Sequence, residues 1–210
     1  FIQVLEESGL IHEVGLWVLN EACRNCAQLL ADGLIQNGRF SLCVNISPRQ
    51  FRHPEFHEGI ERCLASSKLP ARMLKLEITE SVAIRNVDDT VSKMQRLKRL
   101  GIGFAMDDFG TGYSSLTQLK RLPVDVLKID QSFVRDVPLN GNDSEIIRAI
   151  IAMANSLGLQ TIAEGVERTE QLDFLRGENC QLYQGYLFSE PLRLAAFRDV
   201  LTRTPATAST

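Results

Sequence analysis

The chain contains 210 residues, 44% of them hydrophobic, and carries a formal net charge of −3. This length and composition fit one globular domain that buries a core. The charge offers no basic groove, so a nucleic-acid polymer held mainly by Lys and Arg is a poor prediction. A phosphate ligand is compatible with the sequence if metal ions supply the positive charge.

The five cysteines are an odd number in a chain too long to need disulfide support, which indicates a reduced cytoplasmic protein. Cys23 and Cys26 form a C-x-x-C pair, but the surrounding segment is amphipathic and no second pair completes a zinc site. We therefore expect both thiols to pack within a helix. No apolar run approaches the roughly 20 residues that span a bilayer. We expect a cytoplasmic chain, or the cytoplasmic part of a membrane-attached protein.

The two ends of the chain differ in pattern. The first residues, FIQVLEESG, are typical of a helix and start at Phe1 without an initiator Met, so we expect further sequence upstream. Residues 202–210 are rich in Thr and Ala without an apolar pattern, which predicts a disordered tail or linker. We accordingly predict one domain over residues 1–201.

Short apolar runs alternate with amphipathic stretches along the chain. The runs are partly β-branched or aromatic, which is typical of strands buried on both faces. The six predicted strands cover residues 41–47, 74–80, 103–109, 126–130, 160–166 and 182–188. The predicted helices cover residues 58–67, 87–100, 114–121, 144–157, 169–176 and 192–201.

Repeated strand–helix units predict parallel strands covered by helices, in either a (β/α) barrel or an open doubly wound sheet. The sequence lacks a G-x-G-x-x-G turn, and polar residues end every run. This favours the barrel, because a barrel gathers all its strand ends at one mouth. We therefore predict an α/β, TIM-like barrel. Eight strands would require two more than these six, and we expect them before Phe1.

Polar and charged residues occupy the carboxyl ends of all six runs. One such residue is usually a cap or a turn former, but six successive strands with this feature indicate a common site. Converging carboxylates repel one another unless a cation lies among them. Carboxylate and amide oxygens without His or Cys suit Mg²⁺ or Mn²⁺ better than zinc. These residues are Asn45, Glu77, Glu80, Asp107, Asp108, Lys128, Asp130, Glu164, Glu167 and Gln184.

Several carboxylates at one mouth can hold two metal ions, which polarise a phosphodiester and activate water. Lys128 lies at the same strand ends, and two interpretations of it stay open. Its ammonium either orients the attacking water and neutralises developing charge, or serves as a buried counter-ion for Asp108 or Asp130. The loop DFGTGYSS, residues 108–115, is either a lid over the mouth or a plain turn that requires glycine.

Six segments, in the family's order and over nearly the whole chain, resemble the EAL-domain family of cyclic-di-GMP phosphodiesterases. They are VNISPRQF at 44–51, LKLEITES at 74–81, FAMDDFGTGYSSL at 104–116, LPVDVLKIDQSFV at 122–134, IAEGVE at 162–167 and YQGYLFSEPL at 183–192. The third and fourth are the most specific. The resemblance implies a TIM-like barrel that hydrolyses cyclic-di-GMP to linear pGpG with Mg²⁺ or Mn²⁺.

The resemblance also implies roles for individual positions. The implied metal ligands are Asn45, Glu77, Asp107, Asp108 and Glu164, with Asp107 bridging. Lys128 is implied to orient or deprotonate the attacking water, while Glu167 and Gln184 bind water near the site. Glu80 resembles the residue that anchors the DFGTGYSS loop, which in the family couples the site to a dimer interface. The positions expected near the substrate are Gln184, Gln50, Asp130 and Pro191.

The Glu-Ala-Leu strand that names the family, with its own metal-binding Glu, would lie upstream of Phe1. Two functions therefore stay open at the level of the sequence. The first is an active phosphodiesterase that forms a homodimer and is joined to upstream sensor or cyclase-like domains. The alternative is a catalytically inactive cyclic-di-GMP receptor or dimerising signalling module.

Overall fold

The computed structural model describes residues 1–80, 82, 86–111, 116–180 and 182–203. The chain divides into two compact units. The first comprises Phe1–Lys75, Leu100–Ile102 and the described part of Pro191–Thr210. The second comprises Leu76–Arg99 and Gly103–Glu190.

Helices and strands alternate through most of the described residues. The strands are β1 Leu42–Ile46, β2 Leu74–Thr79, β3 Gly103–Phe109, β4 Val126–Ile129, β5 Gln160–Ala163 and β6 Leu182–Tyr183. The helices are α1 Ile2–Ser8, α2 Ile11–Ala31, α3 Pro48–Arg52, α4 Phe56–Ser67, α5 Val87–Arg99, α6 Leu116–Leu119, α7 Gln131–Val134, α8 Gly141–Ser156, α9 Thr169–Gly177 and α10 Leu194–Arg203. A 3-10 turn at Ala71–Met73 leads into β2.

In the first unit, the long helix α2 packs against α4 and β1. Its buried face carries Cys23 and Cys26 at helical spacing, and Cys63 of α4 is buried as well. All three are free thiols, and burial raises the pKa of Cys26 to about 11. The C-x-x-C pair therefore packs within a helix, as predicted.

The second unit is built on parallel strands. β2 to β6 follow one another across the sheet in chain order, and the pairs β3–β4, β4–β5 and β5–β6 are parallel. All four residues of β4 are buried, which is expected of a central strand covered on both faces. Helix α8 ends before Gly158, whose φ of 70° is the left-handed conformation that glycine adopts most readily.

The predicted strands are all observed, but the last two are shorter than expected. β5 ends at Ala163, two residues before Gly165 turns the backbone into the left-handed region at φ 68°. β6 ends at Tyr183. The predicted helix over 114–121 appears as α6, and residues 114–115 lie outside the described residues.

Two short helices were not predicted, since each is only one turn long. α3 is capped by the Ser47 side chain and α7 by the Asp130 side chain. At the end of the chain α10 extends to Arg203, two residues past the predicted boundary at 201. The rest of the predicted tail, residues 204–210, lies outside the described residues. Among the described residues, no helix has both the length and the apolar character needed to cross a membrane.

Candidate active site

The ammonium of Lys128 is surrounded by three carboxylates in the second unit. Its Nζ lies 2.6 Å from Glu77 Oε2, 2.9 Å from Asp107 Oδ1 and 2.6 Å from Glu164 Oε1. The Lys128 side chain is only 4% exposed. A buried ammonium with three ionic partners keeps its proton and holds the ends of β2, β3, β4 and β5 around one charge.

This arrangement follows from the register of the sheet. Met106 lies opposite Leu127, so the next residues along β3 and β4 are Asp107 and Lys128. Lys128 also lies opposite Ile162 of β5, and Glu164 follows two residues later, on the same face. Lys128 is thus a buried counter-ion, but its ion pairs among the described residues are with Glu77, Asp107 and Glu164 and not with the predicted Asp108 or Asp130. Its predicted role toward the attacking water stays a prediction.

A second set of carboxylates adjoins this cluster. One ligand oxygen each from Asp107, Asp108 and Glu164 lies within 4.8 Å of the other two, which is close enough to share a cation. Asp108 adopts a left-handed backbone at φ 53°, and its amide donates to Asp107 Oδ1 at 3.2 Å. This turn interrupts the regular register of β3 with β4. It places two consecutive carboxylates, those of Asp107 and Asp108, in the same cluster.

Burial and neighbouring carboxylates shift the pKa values of the groups in this cluster. Burial, together with the neighbouring carboxylates of Asp107 and Asp130, raises the pKa of Asp108. Burial also raises the pKa of Glu164, and the hydrogen bond from Lys128 offsets only part of this effect. Burial alone would lower the pKa of Lys128, but its hydrogen bonds to Glu164, Glu77 and Asp107 outweigh burial and hold the pKa above the usual range.

These residues fit a divalent cation by charge and by ligand type. Lys128 pairs with three carboxylates, and Asp108 adds a fourth beside Asp107 and Glu164. An added cation would therefore relieve repulsion that the single ammonium leaves. Their oxygen ligands are those preferred by hard divalent ions. The cluster of Asp107, Asp108 and Glu164 can therefore hold a metal ion.

Asp130 lies just past the end of β4. Its carboxylate accepts a hydrogen bond from the Ser132 amide at 2.8 Å and caps α7. Its negative charge also contributes to the raised pKa of Asp108. Asp130 thus has a local structural role beside the acidic cluster, and its predicted contact with substrate stays a prediction.

The segment after β5 carries both Glu164 and Glu167. The Glu164 amide donates to Ile129 O at 3.1 Å, and the Val166 amide donates to Gln184 O at 3.1 Å. Both predicted carboxylates therefore belong to a segment held against the ends of β4 and β6. Glu167 is exposed, as is Gln184, whose amide donates to Ala163 O at 2.8 Å.

Sequence reasoning missed two residues that hold this segment. Gly185 passes so close to Val166 that a Cβ at this position would lie 2.1 Å from Val166 O. Gln171 of α9 is 2% exposed, and its Oε1 accepts from the amides of Glu167 and Arg168 at 2.8 and 2.9 Å. Gln171 is the third residue after Arg168, the N-cap of α9. Little in the sequence signals this role, because the usual capping signal has Ser or Thr at the N-cap and this helix has Arg168.

Glu80 is buried at 5% exposure, and both of its carboxylate oxygens lack a hydrogen-bond partner among the described residues. Residues 112–115 of the DFGTGYSS loop, which Glu80 was predicted to anchor, lie outside the described residues. Its anchoring role stays a prediction.

Three predicted site residues belong to the first unit. Asn45 is an exposed residue of β1, and Pro191 is exposed after β6. Gln50 is 5% exposed in α3, and its Oε1 accepts from the Ser47 amide at 3.1 Å in a capping box. Gln50 thus has a structural function, while its substrate contact stays a prediction.

Comparison with known proteins identifies the family of this chain. The family model of the EAL domain matches residues 1–191. The chain belongs to the EAL domain family.

Relatives and solved structures extend this finding. Cyclic di-GMP phosphodiesterase NbdA of Pseudomonas aeruginosa is 44% identical over 201 residues, which make up 96% of this chain and 25% of that protein. This chain thus spans about a quarter of the length of that relative.

The structure of the phosphodiesterase PaMucR in complex with c-di-GMP has a TM-score of 0.89 and 38% identity, covering 94% of this chain and 78% of that one. Klebsiella pneumoniae BlrP1, in a manganese and cyclic-di-GMP complex, has a TM-score of 0.76 and 30% identity, covering 86% of this chain and 45% of that one. These EAL structures confirm the predicted α/β, TIM-like barrel fold class. The two strands expected upstream stay a prediction.

Proposed function

We propose that this EAL domain hydrolyses cyclic-di-GMP to linear pGpG in bacterial second-messenger signalling. The observation that carries the proposal is the buried Lys128 ammonium with its carboxylates Glu77, Asp107 and Glu164, beside the metal-competent set of Asp107, Asp108 and Glu164. NbdA, a relative at 44% identity, is a cyclic di-GMP phosphodiesterase by name, which supports the same substrate here.

The proposed cofactor is Mg²⁺ or Mn²⁺, with two ions in the site. Bound divalent cations would neutralise the phosphodiester and lower the pKa of water. The proposed ligands are Glu77, Asp107, Asp108 and Glu164, and their excess negative charge supports this assignment. Asn45 is proposed as a further ligand on the basis of the family resemblance alone.

The proposed reaction adds one water molecule across one phosphodiester bond. The water oxygen bonds to phosphorus, the bond from phosphorus to a ribose oxygen breaks, and that oxygen takes up a proton. Lys128 keeps its proton in this arrangement, so its proposed role is to orient the water and to stabilise charge that develops on the phosphate. Glu167 is proposed to bind the same water. Gln184, Asp130, Gln50 and Pro191 are proposed to lie near the substrate.

A cellular setting is proposed as well. We infer that the domain covers residues 1–201 and works in the cytoplasm, since all five cysteines are free thiols. NbdA is about four times as long as the matched region, which favours additional sensor or cyclase-like domains in this protein. A homodimer is proposed by family resemblance.

Turnover of cyclic-di-GMP by the full-length protein tests this function. We expect pGpG to appear when Mg²⁺ or Mn²⁺ is present and to disappear when EDTA is added. The matched pair is Glu77→Gln, which removes a partner of Lys128, and Glu178→Gln, which removes a surface partner of Arg148. Only the first should abolish turnover. Binding of cyclic-di-GMP without any product would overturn the enzyme and identify a receptor.

A further inference from the structure

The side chain of Gln171 has all its hydrogen-bonding groups engaged. Its Oε1 accepts from the Glu167 and Arg168 amides, and its Nε2 donates to the carbonyls of Val134 and Arg135, each at 3.0 Å. Two donors and two acceptors therefore surround a side chain that is 2% exposed. A primary amide offers two N–H donors and two acceptor lone pairs, so this environment matches Gln and no other side chain of the same size.

The groups that Gln171 joins belong to two loops of the candidate site. Val134 and Arg135 lie at the end of α7, the helix that begins directly after Asp130 at the end of β4. Glu167 closes the segment that begins with Glu164 at the end of β5. Gln171 thus connects the backbone after the β4 site residues to the backbone after the β5 site residues.

Other contacts fix the earlier part of that segment, up to the carbonyl of Val166, which accepts a hydrogen bond from the Leu187 amide at 3.0 Å. The Glu164 amide is bound to Ile129 O, and Gly165 packs so closely on Gln131 that a Cβ would lie 2.6 Å from the Gln131 Cβ. The Val166 amide donates a hydrogen bond to Gln184 O. At Glu167, the amide is bound by Gln171 Oε1. Gln171 therefore holds the amide at the Glu167 end of the segment. The guanidinium of Arg168 adds a second link, since it donates to Arg135 O at 2.6 Å.

From this geometry we propose that Gln171 is a positioning residue, which holds the Glu164–Glu167 segment at the distance from Lys128 that phosphodiester hydrolysis requires. The proposal rests on the proposed function. It goes beyond it by assigning a role in the reaction to a side chain on α9 that does not reach the acidic cluster.

Two variants of Gln171 and one control distinguish a positioning role in the reaction from a role in protein stability alone. Gln171→Met keeps the approximate volume and removes every hydrogen bond. Gln171→Glu keeps the acceptor for Glu167 and Arg168, but as a carboxylate it has no proton to donate to the two carbonyls. Leu172→Ala truncates a buried neighbour on the same helix without touching these hydrogen bonds, and it serves as the control for lost stability.

Steady-state kinetics of the full-length protein, at saturating Mn²⁺ and below the melting temperature of every variant, give the first test. Gln171→Met should lower kcat by about 10- to 100-fold with KM nearly unchanged, since small displacements of positioned groups act mainly on the chemical step. Leu172→Ala should keep kcat within about twofold of wild type even if it melts earlier. Equal kcat values for Gln171→Met and Leu172→Ala would overturn the proposal.

The pH profile gives a readout that a structural role would not move. A buried carboxyl takes up a proton more readily than an exposed one, and the neutral acid has one donor and an acceptor. The kcat of Gln171→Glu relative to wild type should therefore fall as the pH is raised from about 6 to about 9. A ratio that stays constant over this range would contradict the role of the donated hydrogen bonds.

Binding of Mn²⁺ alone, followed by electron paramagnetic resonance, keeps this test separate from that of the proposed function. If wild type binds Mn²⁺ but does not hydrolyse cyclic-di-GMP, the proposed function fails and the positioning role is judged on metal affinity. Gln171→Met should then weaken Mn²⁺ binding by about tenfold relative to Leu172→Ala. Equal affinities, or a wild type that binds no Mn²⁺, would overturn the positioning role.

Discussion

Lys128 Nζ and Glu164 Oε1 lie 2.6 Å apart although the two residues belong to different strand–helix units, at the ends of β4 and β5. The Lys128 side chain is 4% exposed and that of Glu164 is 17% exposed. Since the strands are parallel and in register, this ion pair joins two neighbouring strand ends directly. It makes the position of one candidate metal ligand depend on a residue that is not a ligand.

Replacing Lys128 by Met should expose this dependence. The variant leaves three carboxylates without their common cation, which costs about 3–5 kcal/mol when a buried ion pair loses one partner. We expect the melting temperature to fall in EDTA and to rise more on addition of Mg²⁺ than it does in wild type, because the metal then supplies the missing charge. Turnover should be lost in both conditions.

Calorimetric melts with and without Mg²⁺ measure this effect. Lys98→Met is the control, because Lys98 pairs with the single carboxylate of Asp125 and is about one third exposed. Its Mg²⁺ response should equal that of wild type. An identical Mg²⁺ response in Lys128→Met would show that the metal and the ammonium do not share carboxylates.

Asp108→Asn tests the metal-binding set without disturbing the turn. Asn tolerates the left-handed backbone of this position as well as Asp does, so the fold of the loop is kept. One negative charge is lost, and we expect the half-saturating Mn²⁺ concentration to increase by at least about tenfold. Turnover measured over a range of Mn²⁺ concentrations gives the half-saturating concentration. Asp173→Asn, on the exposed face of α9, is the matched control.

How much of the fold and of the candidate site the sequence predicts depends on how far apart the interacting residues are along the chain. The strands and the carboxylates at their ends follow from local patterns, because buried parallel strands are apolar and their polar ends are conspicuous. The ion-pair partners of Lys128 do not follow from local patterns, because they depend on the register between β3, β4 and β5. A register shift of one residue would change these partners.

Gln171 illustrates a different limit. The helix that carries it was predicted from its apolar pattern, but an Arg N-cap gives no capping signal that would single out Gln171. Its contact with the carbonyls of Val134 and Arg135 joins residues more than 30 positions apart, which only the packed structure reveals. The left-handed turn at Asp108 was not predicted either, although Asp is one of the residues that adopt this backbone most readily.

Gly185→Ala should damage both stability and turnover. The added Cβ would lie 2.1 Å from Val166 O and 2.3 Å from Val166 N, and these are backbone atoms that cannot rotate away. We expect a loss of about 1–3 kcal/mol or more in the free energy of unfolding, together with displaced Glu164 and Glu167. Gly177→Ala is the control, because its Cβ would meet nothing within 4 Å. Chemical denaturation and turnover of both variants measure the contrast; equal stability would contradict the close approach.

The stability of the first unit should depend on pH through His12. Its ring stacks on that of His53 with centroids 3.4 Å apart, and its Nδ1 is buried without a hydrogen-bond partner among the described residues. Burial, and next the charge of His53, lower the pKa of His12 from the ordinary value of 6.5, although Glu55 and Glu13 oppose this. The unfolded chain therefore takes up a proton at a higher pH than the folded chain does, and stability is lost as the pH falls through 6.5.

His12→Gln removes this titration and should be less sensitive to acid than wild type. We expect the difference in unfolding free energy between wild type and variant to be constant above about pH 8 and to shift in favour of the variant toward about pH 5. Urea denaturation at fixed ionic strength over this range measures the difference. Parallel pH profiles for the two proteins would mean that His12 binds its proton equally well in the folded and unfolded chain.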